Sequence, residues 1–308
     1  MELKEKDLVV EQELTKEEPV SLPPMGFEVI KREFLKDKVA IGALILLVLI
    51  LGASILVPYF IDMDAAMKVS IFDRFLKPGV DGHILGTDEG GRDVFGMLVA
   101  GTRNSLFIGW SVTVLTAVIG IALGIISGYY GGKIDDVMMR VVDFVMVLPT
   151  LMFTIVMISI TEGFSMTKLV LILSVFAWPG ITRLVRTAAL SEASKDYISA
   201  SKTMGTRDWK IILFELLPNL SSILITNLTL SFAANIGLET GLSFLGFGLP
   251  VGTPSIGTLI GYANNPDTIE NKTWVWLPAV LLVLVLMLCV NYIGQALQRA
   301  ADSRQRRG

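Results

Sequence analysis

Apolar residues along this chain gather into six long runs separated by shorter polar stretches. A transmembrane helix needs about 20 consecutive, mainly apolar residues. Val39–Phe60, Ser105–Tyr129, Val137–Ile160, Leu169–Leu190, Leu220–Leu245 and Val275–Leu297 meet that requirement. Pro149 falls inside the third run, and Pro179-Gly180 interrupts the fourth. The pattern predicts an all-α, polytopic membrane protein with six transmembrane helices. Residues 1–38 form an N-terminal tail and 39–61 the first span. Residues 62–104 form an extracytoplasmic loop, 105–297 a core of five spans with a cytoplasmic loop at 191–219, and 298–308 a C-terminal tail.

Composition agrees. Hydrophobic residues make up 52% of the chain and charged residues 18%, against about 25% in soluble domains. The formal charge of −3 excludes the clearly basic surface of a nucleic-acid binder. The distribution of Lys and Arg sets the orientation. With both termini cytoplasmic, only Lys68, Arg74, Lys77, Arg92, Arg103, Lys168 and Lys272 fall on the outer side. Arg183 and Arg186 at the inner end of run four and Lys195, Lys202, Arg207 and Lys210 in the loop that follows fall on the cytoplasmic side. Met1–Pro24 is polar and mixed in charge, unlike a cleavable leader, and reads as a mobile cytoplasmic tail. Phe27–Lys38 mixes Phe27, Ile30, Phe34 and Leu35 with Lys31, Arg32, Lys36 and Lys38. It suits either an amphipathic helix on an anionic lipid surface or a charged flank of the first span.

Catalytic chemistry has no obvious seat. His83 is the single histidine and Cys289 the single cysteine, so no multi-His metal cluster can form, and no G-x-S-x-G nucleophile elbow occurs. His83 reads as a loop residue and Cys289 as a small core or lipid-facing one. Gly132-Lys133 suggests a phosphate loop, but that motif needs Gly at 127 and Ser or Thr at 134, where this chain has Ser127 and Ile134. Gly120, Gly124 and Gly128 line one face of the second run. They fit either a close crossing at a translocation interface or ordinary small-residue packing.

The loop between runs four and five carries the most information. Tyr197, Ala200, Ser201 and Met204 lie at helical spacing and predict a short helix with a semi-apolar face. Gly205 supplies a stop. Asp208 is a candidate cap for a second short helix through Ile211, Ile212 and Phe214 to Pro218. A helix that projects and ends in a turn is suited to a partner's groove.

These residues resemble the EAA motif of binding-protein-dependent ABC importer permeases: Glu-Ala-Ala, three residues, Gly, nine residues, Ile, one residue, Leu-Pro. Aligned on Gly205, the chain keeps Ala200, Gly205, Leu217 and Pro218, and has Ser199, Ser201 and Glu215 where the motif has Glu, Ala and Ile. His83–Asp93, with Gly86, Asp88, Gly91, Arg92 and Asp93, resembles the HxLGTDxxGRD stretch of the oligopeptide/dipeptide permease C-type subunits. Glu239–Gly248 resembles their ExxLSFLGxG stretch. Gly131-Gly132, Asp135, Arg140, Asp143 and Pro149 resemble their segment after the second span. The similarity runs from about Gly26 to Arg299.

The resemblance implies a peptide permease subunit in the plasma membrane of a prokaryote, paired with a homologous B-type permease. Two cytoplasmic ATPase subunits would bind the ATP and Mg²⁺, this chain binding neither, and an extracellular substrate-binding protein would deliver the peptide. Tyr197, Ala200, Ser201, Met204, Gly205, Leu217 and Pro218 would couple to the ATPases. Related systems carry nickel or other small solutes, and an ion-gradient-driven transporter is the reading from a different class. The Asp88, Arg92 and Asp93 side chains are expected to form a local charge network in a tight turn. Glu239, with Asn235 nearby, lies in an apolar span. A carboxylate at depth costs about 2.5–3.5 kcal/mol and should face a bundle interior or a water-filled path. It therefore either lines the path or a subunit interface, or sits wet and capped at the outer end of the fifth span.

Overall fold

The computed structural model describes residue 32, residues 34–250 and residues 252–305. The Met1–Pro24 tail and half of the Phe27–Lys38 stretch lie outside the described residues. Helix α1 (Lys38–Leu56) continues into a 3-10 turn, Val57–Tyr59. The short α2 (Met63–Met67) precedes α3 (Val94–Tyr130). Next come α4 (Gly132–Val147), α5 (Thr150–Ile160), α6 (Met166–Ala193) and the short α7 (Asp196–Thr203). Helix α8 (Asp208–Ile211) runs through a single π turn, Ile212–Leu216, into α9 (Leu217–Phe244). The chain ends with α10 (Ile256–Gly261), α11 (Pro266–Asn271) and α12 (Thr273–Gln305). Five of these stretches are long and apolar enough to cross a membrane, while α4 and α5 qualify only as a pair bent by 78°.

Several expected boundaries move. Residues 94–104, assigned to a loop, are the first turns of α3. Asp93 caps this helix by accepting the Gly96 N–H at 2.8 Å. Several polar residues at this end of α3 have protein partners. Asn104 donates to the Pro254 carbonyl at 2.8 Å, and the Ser105 hydroxyl accepts the Ile256 N–H at 3.1 Å. The C-terminal residues likewise continue α12 as far as Gln305 rather than forming a separate tail.

The two internal prolines behave differently. Pro149 follows an extended Leu148 (ψ 135°), and α4 ends there, because proline disfavours helical backbone at the preceding residue. Pro179 lies within an unbroken α6, so Pro179-Gly180 does not interrupt the fourth span. Transmembrane helices tolerate such a proline because neighbouring groups re-satisfy the freed carbonyl.

Helices α3 and α6 form the tightest seam. A Cβ on Gly124 would lie 2.7 Å from the Thr182 carbonyl oxygen, and one on Gly128 2.6 Å from that of Arg186. The glycine face of α3 therefore brings the two backbones of this one chain together. Three apolar clusters complete the core. Ile108, Val112, Leu169, Leu173 and Leu242 join α3, α6 and α9. Ile125, Tyr129, Val185, Ile198, Ile211 and Leu216 gather at the α7 end of the bundle. Met97, Leu106, Ile236, Ile256, Leu259 and Leu286 bind α10 and α12 to α3 and α9. Helix α1 is peripheral, with only Ala40 and Ser54 buried.

Candidate functional site

The loop between α6 and α9 folds as an elbow. Helix α7 ends in a Schellman motif, in which Thr206 N–H bonds to the Ser201 carbonyl at 3.1 Å and Gly205 N–H to that of Lys202 at 3.0 Å. The motif requires positive φ at Gly205, observed at +80°. On the inner side of α7, Ile198 is fully buried. The outer side presents Ala200, Met204 at 78% exposure and Tyr197 at 38%. Trp209 and Phe214 extend this exposed surface beyond the turn.

The second limb departs from expectation. It is not a separate helix ending at Pro218 but the start of one long helix, since the π turn carries α8 directly into α9. Leu217 and Pro218 follow directly on the π turn as the first residues of α9. Asp208 does not cap its own helix. It accepts the Tyr129 hydroxyl at 2.9 Å instead, and Lys202 lies 4.3 Å from the Tyr129 ring centroid.

Two departures from the EAA pattern meet here. The Ser201 hydroxyl lies 2.9 Å from both carboxylate oxygens of Glu215, bridging the limbs of the elbow. Serine where the motif has Ala and glutamate where it has Ile thus form a pair. Nearby, Tyr197 donates to Glu192 at 2.7 Å and accepts from Asn219 at 2.9 Å. Burial and then the Glu192 carboxylate push its phenol up to about 12, so it is a neutral donor at physiological pH.

At the other end of α3, Asp88 is fully buried and accepts the backbone N–H groups of Gly90 and Arg92, both at 2.8 Å. Its other oxygen takes the Arg92 guanidinium at 2.8 Å and the Tyr262 hydroxyl at 2.8 Å. Burial and the Asp88 charge raise the Tyr262 phenol. Asp93 stands apart from this network: it caps α3 and binds His83 Nδ1 at 2.6 Å, so the expected Asp88–Arg92–Asp93 trio is corrected to Asp88–Arg92–Tyr262. Gly86 and Gly91 both take positive φ in the same turn. A Cβ on Gly91 would lie 1.9 Å from the Ser70 carbonyl oxygen, so only glycine fits.

Glu239 is 0% exposed, enclosed between α9, α3 and the turn before α10. Its Oε1 accepts the Ser243 hydroxyl at 2.7 Å, while Oε2 has no partner within hydrogen-bonding distance. It is thus enclosed within this chain rather than at an open surface of it. Asn235, 7% exposed, donates to Thr113 Oγ1 at 2.9 Å and ties α9 to α3. An apolar groove of about 800 Å³ runs between these two helices, lined by Trp110, Val114, Val118, Ile121, Leu228 and Phe232 among others. Among the described residues, no three His, Cys, Asp or Glu side chains are placed to hold a metal.

Sequence reasoning did not find Tyr129, Tyr262 or the ion pair of Asp135 with Arg186. Each joins residues far apart in the chain, and only the position of Tyr129 at the end of an apolar run hinted at a role.

Comparison with known proteins gives this architecture its place. The sequence profile of the binding-protein-dependent transport system inner membrane component family matches residues 120–307. The oligopeptide transport system permease protein OppC of Lactococcus lactis subsp. lactis is 48% identical over 276 residues, covering 90% of this chain and 94% of that protein. The dipeptide transport system permease protein DppC of Haemophilus influenzae is 32% identical, covering 88% and 92%. Among solved structures, an inward-facing conformation of the MetNI methionine ABC transporter superposes with a TM-score of 0.56 at 22% identity. It covers 67% of this chain and 97% of that one, a likeness of fold. With more than half of its length matched by the family profile and nine-tenths of it by a 48% identical relative, the chain belongs to the inner membrane components of binding-protein-dependent transport systems.

Proposed function

We propose that this chain is a non-catalytic permease subunit of an ATP-driven importer and forms half of a translocation path for oligopeptides or dipeptides. One observation carries the mechanical part: a rigid elbow, turned at Gly205, whose second limb is continuous with a 37-residue apolar stretch, Asp208–Phe244. A displacement of such an elbow moves the span as a rigid body, with little lost in flexible linkers. The substrate class is supported by the peptide permeases that the chain resembles over about nine-tenths of its length.

In this reading, α4 and α5 together make the sixth crossing, both termini are cytoplasmic, and the subunit sits in the inner membrane of a prokaryote. Two ATPase subunits bind ATP and Mg²⁺ and grip the exposed face at Tyr197, Ala200 and Met204. A homologous B-type permease forms the other half of the path, and an external binding protein delivers peptide to it. ATP binding closes the motor and turns the bundle outward; hydrolysis returns it.

Two measurements test this. Affinity purification from membranes should bring down ATPase subunits and a second permease. The reconstituted complex should import radiolabelled peptides only with ATP inside, with competition by a peptide length series and by nickel salts separating the substrate classes. Transport by the isolated chain without ATP would overturn the proposal.

A further inference from the structure

The chain joins α7 to α6 through residues 194 and 195 and to α8 through residues 204–207; it makes no covalent link from the elbow to α3. Yet both limbs hold the same side chain at the end of α3. Asp208, on the second limb, accepts the Tyr129 hydroxyl at 2.9 Å. Lys202, on the first, places its ammonium 4.3 Å from the centroid of the Tyr129 ring. Tyr129 is itself 7% exposed, packed among Ile125, Ile198, Ile211 and Leu216. The carboxylate takes the hydroxyl proton in a hydrogen bond and the ammonium faces the ring, so the two limbs grip Tyr129 by contacts of different kinds. The ring is clasped from both sides of Gly205, so a change of angle between the limbs must loosen one contact or carry Tyr129 along.

The neighbouring residues make Tyr129 a firm attachment. Ser127 donates to Asp135, which is paired with Arg186 of α6, and Gly128 lies against the α6 backbone. Tyr129 is the penultimate residue of α3, whose 37 residues span about 55 Å back to the cap at Asp93 and the Asp88–Arg92–Tyr262 cluster.

We propose that Tyr129 is a positioning residue of the transport cycle. It is the non-covalent arm through which movement of the elbow enters α3 and is delivered to the opposite end of the bundle. This rests on the reading of the elbow as the motor's docking point.

The test uses the complete importer in proteoliposomes, with ATP consumed per peptide imported as the readout. That ratio reports coupling and is not moved by a uniform loss of folded complex. Tyr129→Leu, which removes both contacts, should raise the ratio about fivefold or more, the lower end of typical coupling between sites. Tyr129→Phe, which keeps the ring for Lys202, should fall between Leu and the parent. A parental ratio in Tyr129→Leu overturns the proposal. Should that variant fail to assemble, the double variant Lys202→Gln, Asp208→Asn changes only exposed residues and weakens the same clasp; a parental ratio there overturns it equally. Gly205→Val serves as the reference. If it uncouples and Tyr129→Leu does not, this inference alone fails; if it does not uncouple, the reading of the elbow fails first.

Discussion

The Asp135 carboxylate accepts two hydrogen bonds from the Arg186 guanidinium, across 51 residues of sequence, and a third from Ser127. This group fastens α4 and α3 to α6 where the glycine face ends. Removing one partner of a buried pair leaves an uncompensated charge and costs about 3–5 kcal/mol; partial exposure of Arg186 places this pair near ~2–3. Arg186→Gln should therefore lower the thermal unfolding midpoint of the purified protein. Combined with Asp135→Asn it should cost less than the sum of the single changes, as a double-mutant cycle would measure.

Gly205 offers a separation of stability from coupling. No heavy atom lies within 4 Å of where its Cβ would sit, so a side chain meets no obstacle there. The positive φ remains, and a β-branched residue is strained by about 1–3 kcal/mol in that region. Gly205→Val should leave the complex assembled, judged by co-purification of the ATPases, while peptide uptake falls.

The α3–α6 seam should respond sharply to added volume. Gly124→Ala would set a methyl group 2.7 Å from the Thr182 carbonyl, a backbone atom that cannot swing aside, and should cost about 1–3 kcal/mol. Gly180→Ala, within α6 but facing open space, should be neutral or slightly stabilising, by up to about 1 kcal/mol. Comparing the unfolding midpoints of the two variants in detergent distinguishes a packed seam from a general intolerance of substitution.

For Glu239, enclosure predicts a structural rather than a transport phenotype. Gln retains an acceptor for Ser243, so Glu239→Gln should preserve uptake. Glu239→Ala removes the Ser243 hydroxyl's acceptor in a buried site and should destabilise by about 1–3 kcal/mol. Lost uptake in a stably folded Glu239→Gln protein would instead place this carboxylate on the path.

What the sequence could reveal followed physical range. The apolar runs marked the spans because the bilayer imposes one length on all of them, and Gly205 was readable because a helix stop is local chemistry. The first turns of α3 were not, because Asn104 looks like a loop residue until the Pro254 carbonyl arrives from 150 residues away. Pro149 and Pro179 look alike in sequence, yet only the first ends its helix. The Ser201–Glu215 contact shows the same limit at the elbow: each residue appeared as an isolated departure from the motif, and only the fold reveals them as partners.

The bend between α4 and α5 bears on how the protein fits its bilayer. With 16 and 11 residues, these helices are about 24 and 16 Å long, each short of a hydrocarbon layer some 30 Å thick. Straight helices meet a thicker or thinner layer by changing tilt. This pair can open or close its 78° angle instead, so lipid chain length should act on α4 and α5 before it disturbs the rest of the bundle.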